Sequence, residues 1–138
     1  MKVCCGDTPV SPTPLLLALL LFAWALRAGA QPPDCPPNGD ADVILRCEEN
    51  RLAAADQALD QRYRAVVRAL HDDPAPDAQA ALRTLINAQR QWIAYRDDDC
   101  DAVYLAHHAA TLRERHRLRC KTAHAEMRAR QLGAYDND

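Results

Sequence analysis

The chain has 138 residues, 49% of them apolar, 26% charged and 5% aromatic, with 17 Lys and Arg against 19 Asp and Glu. That length serves one folded domain, and a net charge of -2 excludes the broad basic surface by which proteins grip nucleic acid. All nine prolines lie at positions 9, 12, 14, 32, 33, 36, 37, 74 and 76, and the four glycines at 6, 29, 39 and 133, so Asp40 to Asp73 and Asp77 to Leu132 contain neither breaker. Both stretches are rich in Ala, Leu, Arg and Gln. They predict helices and leave no strands for a sandwich, barrel or Rossmann sheet.

Residues 1–30 read as a cleavable signal peptide. Leu15 to Leu26 is an uncharged run of 12 residues, too short for a hydrocarbon core that takes about 20. The small residues of Ala28-Gly29-Ala30 that follow suit a signal peptidase, which places the cut after Ala30. Cys4 and Cys5 precede the apolar run, so neither is placed for lipidation, and no second apolar span follows. The expected product is a periplasmic or secreted protein without a membrane span or lipid anchor. Removing residues 1–30 takes away Lys2, Arg27 and Asp7, leaving 108 residues with 15 basic and 18 acidic groups, net -3.

A Pro-rich arm at 31–39 leads into a helical domain at 40–132, with a tail at 133–138. The first helix is expected from Asp40 or Asp42 to His71. Its apolar positions Ile44, Cys47, Leu52, Ala55, Leu59, Tyr63, Val66 and Leu70 recur mostly at three or four. Asp72-Asp73-Pro74-Ala75-Pro76 ends it, and Asp77 is the expected N-cap of the second helix. That helix should bury one stripe holding Leu82, Leu85, Ile86, Gln89, Trp92, Ile93, Arg96, Cys100, Val103 and Tyr104. Thr111-Leu112-Arg113-Glu114 has the form of a capping box and starts a third helix over Leu112 to Leu132, closed by Gly133. A single helix from Asp77 to Leu132 is the competing picture, but it would be far longer than globular helices run. The expected fold is therefore all-α, a three-helix antiparallel bundle.

Four cysteines remain after cleavage: Cys35, Cys47, Cys100 and Cys120. An even number in an exported chain of this size reads as two disulfides. Cys100 and Cys120 stand level across the second turn, which leaves Cys35 for Cys47; Cys47 with Cys100 is the alternative. Level-counting across the first turn also pairs Asp56 with Arg96, as a bidentate ion pair flanked by Leu59 and Trp92 that fixes helix register.

These residues carry a family likeness. Asp56-x-x-Leu59-Asp60-x-x-Tyr63, then Ala88-Gln89-Arg90-x-Trp92-Ile93-x-Tyr95-Arg96-Asp97-x-x-Cys100, then Cys120, Arg128 and Leu132, resemble the LprI N-terminal domain family from Cys35 to Leu132. These are small exported bacterial helical proteins, named after a mycobacterial lysozyme inhibitor that is itself a lipoprotein. The block from Ala88 to Cys100 is the specific part. The chain departs from the family at Asp60, Lys121, Ala125 and His107-His108-Ala109-Ala110. The resemblance implies a helical fold and a binding role, with Asp56, Leu59, Tyr63, Gln89, Trp92, Arg96, Arg128 and Leu132 as structural motif positions.

Enzyme chemistry is not expected. No serine follows residue 30, bridged cysteines are not nucleophiles, and consecutive carboxylates at Asp97, Asp98, Asp99 and Asp101 fan around a helix instead of converging. His116, Cys120 and His124 share a face at i, i+4, i+8, with His107 and His108 near the turn, and suit Zn or Cu. With Cys120 bridged, His116 and His124 lie about 12 Å apart, so no metal or other cofactor is expected, and metal binding is the second alternative. The leading reading is an exported binding protein of that family, with lysozyme inhibition by occlusion of the enzyme's cleft as the role the resemblance implies. The aspartates at 97, 98, 99 and 101, or Asp72, Asp73 and Asp77 at the first turn, would steer a basic partner. The first alternative is an envelope protein-interaction or stress module without lysozyme contact.

Overall fold

The computed structural model describes residues 34–136, so the expected signal peptide and its cleavage site lie outside the described residues. Three helices run in chain order: α1 over Ala41–Asp72, α2 over Ala78–Ala106 and α3 over Arg113–Gln131, followed by a 3-10 turn at Leu132–Tyr135. No strand occurs among the described residues. No helix there is long and apolar enough to cross a membrane.

Helix α1 starts where Asp40 accepts hydrogen bonds from the Asp42 and Val43 amides, at 2.9 and 3.2 Å. Two orphan N–H groups are satisfied by that one carboxylate. Before it, Gly39 has φ +133°, a conformation that a side chain strongly disfavours. The other two starts differ from the sequence expectation. Asp77 is itself near-helical and makes no side-chain cap; the Ala78 amide bonds the Ala75 carbonyl instead (3.1 Å). Nor does the Thr111 box form. Leu112 precedes α3 without a side-chain cap, and Glu114 turns to Arg117 at 2.9 Å. In both places tight turns satisfy the chain, and the cap residues lie within those turns.

The long helix is interrupted between Ala106 and Arg113. The His107 amide bonds Val103 O at 3.2 Å while the His107 ring Nδ1 approaches the same carbonyl at 2.8 Å. One carbonyl thus ends α2 without glycine or proline.

Helix α3 lies against both α1 and α2, which meet each other less extensively. Its inward positions Leu118, Thr122 and Ala125 are small to medium, and Ala125 is fully buried. Short side chains let the helix axes approach. The core unites Ala55, Leu59 and Val66 of α1, Leu85 of α2, and Ala125 and Leu132, with Tyr63 and Trp92 packed on it. Ile93 departs from the expected stripe and is 42% exposed. Disulfides join Cys35 to Cys47 and Cys100 to Cys120. The first pins the arm to α1, and the second ties α2 to α3.

Candidate functional site

The motif positions converge where α1, α2 and α3 meet. Arg96 Nη1 donates to Asp56 Oδ1 at 3.1 Å, and Arg96 Nε donates to Asp97 Oδ1, also at 3.1 Å. The expected bidentate Asp56–Arg96 pair is therefore a shared guanidinium. It bridges α1 to its own helix, because Asp97 on the next residue competes for the fork. The guanidinium also sits 5.3 Å from the Trp92 ring centre, a cation–π contact that holds both side chains in place. Arg128 of α3 donates to Gln89 Oε1 at 3.0 Å. Leu59 and Leu132 are buried, and Tyr63 packs against them. Between Asp56, Tyr63, Gln89, Trp92 and Arg96 lies a shallow groove of about 270 Å³.

The acidic run on α2 is mostly engaged internally. Asp97 also pairs with Lys121 at 3.1 Å, Asp101 with Arg117 at 3.3 Å, and Asp99 with His124 at 2.9 Å. Partial burial pushes the Asp97 carboxyl up, but the Lys121 hydrogen bond and the Arg96 charge outweigh it and hold it below the usual carboxylate value. Arg117, shared between Glu114 and Asp101, is correspondingly held more firmly protonated, chiefly through its hydrogen bond to Glu114. Asp98 is exposed and makes no ion pair among the described residues. It shares the outer face of α2 with Tyr95, 59% exposed, and Leu105, 66% exposed. Asp72, Asp73 and Asp77 sit around the first turn, where Asp72 meets His71 and Asp73 accepts from the Ala75 amide.

The histidines separate. His116 stacks on His107 with ring centres 3.8 Å apart. Burial, then the neighbouring His107 and the charges of Arg119 and Arg115, hold His116 below the ordinary imidazole value. His124 instead joins Asp99, and its ring meets Tyr95 edge-on at 5.5 Å. Potential ligand atoms of Asp99, Cys100, Cys120 and His124 lie within 4.8 Å of one another. The two sulfurs are bonded to each other, so neither is a thiolate available for coordination.

Sequence reasoning missed a second polar centre. Glu48 is 1% exposed on its α1 face, and its Oε1 accepts from Arg115 Nε at 3.0 Å and Arg119 Nε at 2.7 Å. Arg115 then donates to the carbonyls of Pro37 and Pro36, at 2.9 and 3.1 Å. The signal was available: Glu48 stands four residues after Ile44, on the same inward stripe.

A family model described as lysozyme inhibitor LprI matches residues 35–132. A protein of Rhizobium meliloti (strain 1021), itself described as uncharacterized, is 38% identical over 92 residues, which is 62% of this chain and 66% of that protein. No solved structure matches the chain. The family match starts at the first bridged cysteine and ends at the buried Leu132, so it takes in every motif contact described above, and the chain belongs to the lysozyme inhibitor LprI family.

Proposed function

We propose that the protein is exported and inhibits a lysozyme by binding it through the outer face of α2, with Tyr95, Asp98 and Leu105 as contacts. The family match over 35–132 is the observation that carries this reading. Two disulfides support export, since such bridges persist in oxidising compartments. The charge of the chain after residue 30, net -3, suits a basic partner. Asp98 is the member of the acidic run that has no cation partner among the described residues, so it is the carboxylate available for steering. Tyr95 and Leu105 stand about 15 Å apart along the axis and offer the apolar anchors that interfaces need.

Cell-wall lysis tests the reading. Protein beginning at Gln31, in stoichiometric excess, should slow lysis by at least one of the c-, g- and i-type lysozymes. Tyr95→Ala should weaken that inhibition by about thirtyfold, a typical anchor loss of about 2 kcal/mol. Asp98→Lys should lower the association rate and its salt dependence. Unchanged lysis by all three enzyme types would end the inhibitor reading.

A further inference from the structure

A pocket of about 320 Å³ lies between the N-terminal arm, α1 and α3, lined by Asp34, Glu48, Arg51, Arg119, Ala123 and Glu126. Two polar atoms of these lining residues are buried without a hydrogen-bond partner among the described residues: the acceptor Glu48 Oε2 and the donor Arg51 Nε, on a guanidinium whose Nη1 pairs with Asp34 at 3.4 Å. Glu48 is the more telling of the two. Its other oxygen already takes both guanidinium donors, while Oε2, on a side chain 1% exposed, takes none. Buried polar groups are otherwise paired almost throughout native proteins. A donor and an acceptor left over in one cavity therefore specify the ligand that would complete them.

We infer that this pocket binds a small dipolar ion of the α-amino acid type, its ammonium on Glu48 Oε2 and its carboxylate on Arg51 and Arg119. Three carboxylates and two guanidiniums line the cavity. A simple anion meets the carboxylates of Asp34, Glu48 and Glu126, and a simple cation meets the guanidiniums. A dipolar ion satisfies both sets. The volume accommodates an amino acid or a short peptide end. The wall is prebuilt, because the Cys35–Cys47 bridge and the Arg115 bonds to Pro36 and Pro37 hold the arm in place. This site is lined by the arm, α1 and α3, whereas Tyr95 and Leu105 belong to α2, and it does not depend on lysozyme binding.

Titration of ¹⁵N-labelled protein with L-alanine, L-alaninamide and N-acetyl-L-alanine provides the test. L-alanine should move the Arg51 and Arg119 Nε–H resonances saturably below about 10 mM. The amide and the acetylated form should bind at least about tenfold more weakly, each having lost one charged hydrogen-bond partner. Ala123→Trp places a large ring at an exposed position on the rim and should abolish the response while leaving the helical circular dichroism unchanged. Glu126→Lys, also exposed, should weaken it. No saturable movement, an equal response to the three probes, or full binding in both variants would overturn the inference.

Discussion

Glu48 shows how much one side chain can hold in a small bundle. Its buried carboxylate takes Arg115 and Arg119 on a single oxygen, and Arg115 carries the restraint on to the arm through two proline carbonyls. Removing one partner of a buried pair strands the other. Arg115→Ala should therefore cost about 3 kcal/mol in urea unfolding, whereas Arg64→Ala, which breaks the exposed pair with Asp60, should leave the midpoint nearly unmoved. Asp97 makes a second residue-scale prediction. Its carboxyl is lowered from the ordinary 3.8, so its contribution is present above that value and lost as pH falls through the lower folded value. Asp97→Asn should flatten the acid limb of thermal stability below about pH 4. At this scale the sequence was partly legible. Counting residues from the Pro74 turn brought Asp56 to Arg96, but could not foresee that Asp97 would take half of the guanidinium, since that depends on rotamer and not on register.

The helices themselves were the most readable elements. Long breaker-free stretches leave a chain of good helix formers few other states, and Pro74 and Pro76 stop α1 by removing donors and clashing with helical geometry. The caps were less readable. Asp40 has its side chain on two amides, while Asp77 and the Thr111 box have the right residue types and no cap bond. Asp40→Ala should therefore destabilise by about 1 kcal/mol in chemical unfolding, and Asp77→Ala by much less. The α2–α3 turn couples packing to pH. His116 is lowered from 6.5 by burial and neighbouring positive charge, so the folded state favours its neutral ring. That contribution is complete above pH 6.5 and is lost as pH falls toward the lower folded value. Melting temperature should rise through that interval and level off above it, and His116→Gln should reduce the slope. The Cys100–Cys120 bridge closes the same hairpin, and the Cys100→Ala/Cys120→Ala double variant should lose about 2–4 kcal/mol.

For the whole molecule, the disulfides and buried ion pairs offset a core poor in aromatic side chains, and α3 packs on two helices that meet each other less extensively. That arrangement leaves Tyr95, Asp98 and Leu105 exposed on α2 and a pocket by the arm. Mass spectrometry of protein recovered from the envelope should give an N-terminus at Gln31 if residues 1–30 act as the export signal. Composition, punctuation and periodicity were enough to establish helix over the two breaker-free stretches, because helix formation depends on neighbours within about four residues; the break between Ala106 and Arg113 was argued from a capping box that does not form. The family likeness was equally local, carried by the block from Ala88 to Cys100. Only the tertiary structure decided which aspartates are already paired, that Ile93 faces outward and that Glu48 is buried beside two guanidiniums. Each of these depends on where a neighbouring helix lies and how it is rotated, and residues that meet only in space leave no mark at fixed spacing along the chain.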